Sequence, residues 1–447
     1  DWLAAAPAVA GQPAGAATAS GVIPLATGQA NYVGATGSTI CVVTWWVDGP
    51  LAVDTLAAAL GDVHRRHQAL HAAYRTAPPG ATLPARPGAP ALQVLTGVGD
   101  DATALAAVNA ALLEPLDVAA GRVWRAVVAP AGGRHLVGVG IHHIAFDGYS
   151  EEILARELSQ AYAARAAGTA PAWSAPAPTL AQLANRSTAR MRPDDLAQQS
   201  RYWQRQLRDL PRLRLPGAPR GPVPPAGPTA GIRLPIPAEV FAPWDARARQ
   251  RRVSQFSYLV AVFGEVLREL TGQRDVGVLV PMSLRGDPLL DAAITCRANP
   301  VVLRLRPAPE GGDAWATTAT AVGEALAAQD LPFGEVVGAV ARVRPDLDAL
   351  LNLPIFVVQD RQEEQLTLPG CAVHRIADRQ AADVPSVLAI DLALTAAGAD
   401  LNVGVRTDLV DLTFAERVGE AYQRILAAGP DAFSRRHAGA DAALVAG

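Results

Sequence analysis

The sequence predicts a mixed α/β chain folded as two domains, and three observations carry that reading. At 447 residues the chain exceeds what a single hydrophobic core ordinarily organises. Short apolar runs rich in β-branched residues and closed by glycine turn signals read as buried strands, among them Ile40–Val47 before Asp48-Gly49-Pro50 and Leu136–Ile141 before Asp147-Gly148. Between such runs lie helical patterns, with Leu56, Leu60 and Val63 on one face and Ile153, Leu154, Leu158 and Tyr162 on another. An Ala/Pro-rich linker from Ala166 to Pro178 places the boundary, giving domains 1–177 and 178–447.

Composition narrows the class of function. Apolar residues make up 50% and charged residues 18%, the balance of a globular chain. A net charge of -3 offers no electrostatic basis for binding nucleic acid or an anionic membrane. Cys41, Cys296 and Cys371 are far apart, without metal or redox spacing, and so sparse a set suits a reducing cytoplasm. The stretch to Ser20 lacks a basic n-region and a long apolar core, so it reads as a loose leader. No run of eighteen apolar residues is free of charge and proline, and no membrane span is expected.

In chain order, Ile23–Asn31 opens the first domain, with Gln29 following Pro24-Leu25. The strand at Ile40 comes next, then a helix capped at Asp54 that ends in Arg66-His67-Gln68-Ala69-Leu70-His71. Ala77–Pro90 is a loop. The strand at Leu136 leads into His142-His143-Ile144-Ala145-Phe146-Asp147-Gly148. Alternation along a strand puts the two imidazoles on opposite faces, so at most one serves a given cleft, and a metal site is not expected. Gly148 reads as a turn residue and Ser150 as the cap of a helix whose first turn carries Glu151 and Glu152. In the second half, Tyr202-Trp203 lies in a helical stretch, and a Pro-rich loop spans Pro211–Pro228. A helix through Ser257–Leu270 feeds a strand at Val276–Val280.

The run His142-His143-x-x-x-Asp147-Gly148 resembles the His-His-x-x-x-Asp-Gly motif of the condensation-domain superfamily of nonribosomal peptide synthesis. Other landmarks fall in the family's order from about Ile23 to Leu426: Arg66-His67-x-x-Leu70, Tyr202-Trp203, Arg285, Asn299 and Pro354-Ile355-Phe356. Gln68, His71 and Asn352-Leu353 depart from the family pattern. The resemblance implies two lobes built like chloramphenicol acetyltransferase, set in a V with a central tunnel, with a floor loop near 286–298 and a latch near 366–386. It implies a donor acyl or peptidyl carrier protein as partner, delivering its group on a phosphopantetheine arm, a small-molecule or carrier-bound acceptor, and no permanently bound cofactor. His143 is the expected base or positioning group and Gly148 its neighbour at the thioester, its N–H facing the developing oxyanion. His142 is expected to be structural, and Asp147 to be anchored by a buried ion pair with Arg66.

The product of such chemistry is an amide or an ester, and ester formation onto a soluble core such as an enediyne belongs to the same range. The residues leave room for one condensation unit and none for an adenylation or carrier module, so a free-standing condensation enzyme is expected, although a domain cut from a larger synthetase has the same inventory. The competing readings are an acyl-CoA-dependent acyltransferase of the same fold, an epimerisation domain, and a degenerate partner-recruiting domain. No Glu-Gly-His-Gly-Arg-like run favours the epimerase, and neither His143 nor Asp147 is lost as degeneracy would require.

Overall fold

A computed structural model describes residues 21–34, 39–218, 227–309, 312–344, 352–360, 365–376 and 386–439. The leader to Ser20, part of the Pro-rich loop and the later part of the latch lie outside the described residues. The chain divides into two compact units. The first draws on Asp1–Arg192, Ser283–Asn299 and Glu363–Ala382, and the second on Pro193–Met282, Pro300–Gln362 and Asp383–Gly447. The division therefore falls after Arg192 and not at the Ala/Pro linker. The reason is packing: the helix Leu180–Arg190 buries Leu180 and Leu183 in the first unit's core. Leu290, Ala293, Ile294, Leu366 and Leu368 join that same core, so the floor-loop segment and the described start of the latch belong to the first unit.

The first unit is built on a five-stranded sheet. Its strands are β1 (Ile40–Asp48), β2 (Ala91–Val94), β3 (Trp124–Ala131), β4 (Arg134–His142) and an edge strand Ala372–Arg375. The order is Ala372–Arg375, β1, β4, β3, β2. Strand β4 is central and pairs antiparallel with β1, His142 opposite Ile40, and with β3, Ile141 opposite Trp124. Every residue from Leu136 to His142 is buried, which is why its pattern is continuous and does not alternate. Gly140 is needed there for space: a Cβ would lie 2.6 Å from the Leu112 carbonyl oxygen of the helix Asp101–Leu113. Helix α1 (Val53–Arg66) and helix α2 (Gly148–Ala166) pack on the sheet, and the core takes Leu56, Leu60 and Val63 from one and Ile153, Leu154, Leu158 and Tyr162 from the other.

Local details differ from the sequence reading in three places. Asp54 lies inside the first turn of α1, whose cap is Ala52. The loop expected after Ala77 contains a strand, Pro79–Thr82, paired in a hairpin with Ala73–Thr76. The cap of α2 is Asp147 and not Ser150.

The second unit is organised by a six-stranded sheet in the order Thr229–Pro237, Gly398–Arg406, Leu388–Thr395, Ile355–Asp360, Val276–Ser283, Ala298–Leu305. Helices Gln255–Thr271 and Leu412–Ala427 bury most of their apolar residues. Tyr202 and Trp203 meet edge to face at 4.8 Å, and Trp203 Nε1–H donates to the Ala328 carbonyl at 3.0 Å, so this aromatic pair is packing.

Candidate active site

Three segments of the first unit converge at the end of β4: the turn Thr27–Ala30 with Tyr32, the run His142–Ser150, and the loop 285–299. The first sits on the third at very short range. A Cβ on Gly28 would meet the Cys296 carbonyl oxygen at 2.7 Å, so only glycine permits this approach. Gln29, the glutamine of the opening motif, is buried and donates through Nε2 to Thr295 Oγ1 and to the Tyr74 hydroxyl, each at 3.2 Å. Asn31 Nδ2–H adds a bond to Asn299 Oδ1 at 2.9 Å.

His142 is the last residue of β4 and is buried. Its Nδ1 accepts the Ile144 N–H at 3.1 Å and so caps the short 3-10 turn His143–Ala145. With Nδ1 accepting, the proton of the neutral ring sits on Nε2 and is donated to Thr39 Oγ1 at 2.5 Å. Burial, helped by the neighbouring His143, lowers its pKa to about 4. Both ring nitrogens are thus engaged within the fold, and burial favours the neutral ring. The chain leaves the strand at His143, so the two rings are separated by a change from strand to 3-10 turn and not by strand alternation alone.

His143 is half-buried and clamped on two sides. Its ring stacks on Tyr32, with centroids 4.3 Å apart and planes 9° from parallel. Its Nδ1 lies 3.6 Å from the Sγ of Cys296, which is fully buried. Burial and the nearby Asp147 push the Cys296 thiol well above its usual pKa, so it is not an activated nucleophile. Burial likewise raises the Tyr32 phenol, with Cys296 adding to the effect.

Asp147 is buried and accepts bonds from every side. Its Oδ1 takes the Ser150 N–H at 2.9 Å and the Ser150 hydroxyl at 2.7 Å, and its Oδ2 takes the Arg297 N–H at 2.9 Å. Arg285 Nη2 lies 2.9 Å from Oδ1 and 3.1 Å from Oδ2. Burial raises the carboxyl's pKa, but the Arg285 charge, Ser150 and the Arg297 amide outweigh it and hold the group below the usual carboxylate range. Arg285 also donates to the carbonyls of Leu290 and Ala293, at 2.6 and 3.2 Å, and lies 4.6 Å over the Tyr149 ring.

The ion pair expected between Arg66 and Asp147 is therefore corrected. Arg66 Nε donates to Glu157 Oε2 at 2.9 Å, and His67 Nε2 shares the same oxygen at 2.7 Å. The reason is distance along α2. Glu157 sits ten residues beyond the cap, about 15 Å at the helical rise, so a guanidinium bonded there does not reach Asp147. Burial raises Glu157, while its bonds to His67 and Arg66 bring it below the ordinary range. The Arg66 guanidinium also covers Trp173 at 4.5 Å. His71, where the family pattern has a second arginine, donates through Nδ1 to the His64 carbonyl at 2.9 Å.

Gly148 is exposed, is the first helical residue of α2, and has no left-handed backbone angle, so it is not the turn glycine the sequence suggested. A Cβ there would meet nothing within 4 Å. Its N–H is one of the helix-initial donors without an intrahelical acceptor. Among the described residues no group of three or more His, Cys, Asp or Glu could hold a metal ion, and no helix is long and apolar enough to cross a membrane.

Tyr32, Cys296 and Ser150 were not read as site residues from sequence, and Arg285 was noted only as a landmark. A buried polar function gives no periodic signal, so the sequence pattern does not bring residues near 30 or 296 to this site.

A buried carboxylate–guanidinium pair thus lies behind a clamped imidazole at a strand end, and the comparisons give the family. The family described as Condensation domain matches residues 35–428. This chain belongs to the condensation-domain family. It is 33% identical over 344 residues to the isonitrile lipopeptide synthase of Mycobacterium tuberculosis, covering 72% of this chain and 13% of that protein. It is 28% identical over 330 residues to cyclosporin synthetase simA of Tolypocladium inflatum, covering 70% of this chain and 2% of that protein. The chain thus spans a small fraction of the length of these relatives. Its fold is similar to that of the X-domain from teicoplanin biosynthesis, with a TM-score of 0.77 at 21% identity, over 93% of this chain and 97% of that one. Condensation domains of nonribosomal peptide biosynthesis catalyse acyl transfer that forms amide bonds, act on substrates held on carrier-protein phosphopantetheine arms, and use no permanent cofactor.

Proposed function

We propose that this chain transfers an acyl or aminoacyl group from a carrier-protein phosphopantetheinyl thioester to an amine or hydroxyl acceptor, giving an amide or an ester. The observation that carries the reading is the clamped His143, held at the end of a central strand between Tyr32 and Cys296. A thioester is already activated, so the protein's work is to align two reactants and to keep water out. The nucleophile attacks the carbonyl carbon, the new C–N or C–O bond forms, the C–S bond breaks, and the phosphopantetheine leaves as a thiolate that receives the proton His143 has taken. His143 takes the nucleophile's proton, a general-base role to which an imidazole is suited. The Gly148 N–H, at the start of α2, is the donor for the oxyanion. Asp147, Arg285 and His142 hold these groups in place and do not touch the substrate. Ester formation onto a soluble core is the variant that depends most on His143, because a hydroxyl loses its proton less readily than an ammonium.

The test is to load carrier proteins with candidate acyl groups, offer amines and alcohols, and identify products by mass spectrometry. His143→Ala is expected to slow product formation by about 10²- to 10⁴-fold. Full turnover by that variant overturns the role of His143. Turnover of acyl-CoA with no reaction of any carrier-bound donor overturns the carrier reading in favour of a free acyl-CoA transferase.

A further inference from the structure

We propose that Cys296 is the positioning residue of His143: its sulfur accepts the Nδ1–H of the imidazole and keeps the lone pair on Nε2. The inference deepens the reading of His143 as proton acceptor and rests on it, because a base needs an unprotonated nitrogen facing the nucleophile. Proton accounting supports the assignment. Cys296 Sγ has two polar neighbours here, His143 Nδ1 at 3.6 Å and the Ala298 carbonyl oxygen at 4.0 Å. The carbonyl only accepts and a neutral thiol carries one proton. Both contacts are satisfied when S–H points to Ala298 and Nδ1–H points to sulfur. The Tyr32 stack sets the plane of the ring, and the Cys296 contact selects which edge of that plane faces inward.

The surrounding bonds show why Cys296 cannot drift. Its predecessor Thr295 donates its N–H to Ser150 Oγ at 3.2 Å, and its successor Arg297 donates its N–H to Asp147 Oδ2 at 2.9 Å. Cys296 is thus held on both sides by the cap of α2, and the Gly28 contact closes over its carbonyl. The motif aspartate, four residues past His143, acts on that histidine through this route: Asp147 and Ser150 fix Thr295 and Arg297, and these deliver the thiol between them to the ring.

The experiment uses the full chain labelled with ¹⁵N-histidine, with the His143 ring signals assigned by their loss in His143→Gln. Wild type is expected to show protonated Nδ1 and bare Nε2. Cys296→Ala is expected to shift His143 toward the Nε2–H form that imidazole prefers in water. Cys296→Ser, which keeps one proton and an accepting atom, is expected to hold the wild-type form. In the carrier assay, Cys296→Ala should lower kcat roughly ten- to a hundredfold, the usual effect of losing a partner that orients a working imidazole, with KM little changed. An Nε2–H tautomer in wild type, or an unaltered tautomer in Cys296→Ala, overturns the proposal. Should Cys296→Ala not fold, the wild-type and Cys296→Ser spectra still decide it. The spectra are read without substrate, so failure of this inference is distinguishable from failure of the carrier-dependent reaction.

Discussion

Replacing Asp147 by Asn removes one negative charge from a site where Arg285 is only 4% exposed. The guanidinium then keeps its desolvation cost without its counter-ion, which costs about 3–5 kcal/mol when one partner of a buried pair is removed. The amide nitrogen adds to the loss. Whichever way it is turned, it places a donor against a donor, either the Arg297 N–H or the Ser150 N–H. For domains of this size each kcal/mol moves the melting temperature by about 2–4 °C, so Asp147→Asn should melt roughly 6–20 °C below wild type at neutral pH. The pH dependence has a definite sign. The folded carboxyl is held below its ordinary value, so its contribution is complete above the unfolded pKa near 4 and fades as pH falls through the folded pKa. The gap between wild type and variant should therefore close in acid. Circular-dichroism melts from pH 3 to 8 read the effect, and a cycle with Arg285→Met should be non-additive while one with Arg66→Ala should be additive. A melting temperature within about 2 °C of wild type, accompanied by a large loss of rate, would refute the anchoring role.

Two further outcomes follow from neighbouring residues. Gly148→Ala puts a methyl where nothing lies within 4 Å and replaces glycine in a helix, so stability should hold or rise by up to about 1 kcal/mol while kcat/KM falls. Unchanged kcat/KM in the carrier assay would remove Gly148 from the reacting centre. His142, with its pKa lowered to about 4, binds its proton more weakly folded than unfolded, so it destabilises the fold as pH drops from about 6.5 toward 4. His142→Asn retains an acceptor for the Ile144 N–H and should reduce that slope by about 1.4 kcal/mol per pH unit in urea titrations. An identical slope would show that His142 does not titrate in this window.

The sequence made some levels of this structure readable and hid others for physical reasons. Strand β4 and helix α2 were legible because their signals are local: an apolar run, a turn dipeptide, a periodic face. The motif residues were legible for the same reason. The partner of Asp147 was not, because Arg285 lies 138 positions away and nothing in a chain's pattern says which of two arginines will reach a buried carboxylate. Arg66 looked as suitable until the length of α2 separated it from the cap. Cys296, 153 positions from His143, carries no signal of its own beyond being one of three cysteines. The unit boundary was misplaced because composition marks flexible connections, whereas the core is decided by which apolar faces find each other.

The distribution of the first unit along the chain has a practical consequence for anyone recombining such domains. A cut in the Ala/Pro-rich connection near Ala170 leaves an amino-terminal fragment with Asp147, His143 and Tyr32 but without Arg285, Cys296 or Arg297. That fragment would carry a carboxylate built for a cation it no longer has. Chimaeras joined there would pair one parent's aspartate with the other parent's arginine and thiol, and would be sound only where both parents agree at those positions. The unit that must be inherited together is therefore discontinuous: the first 192 residues with the two later stretches Ser283–Asn299 and Glu363–Ala382.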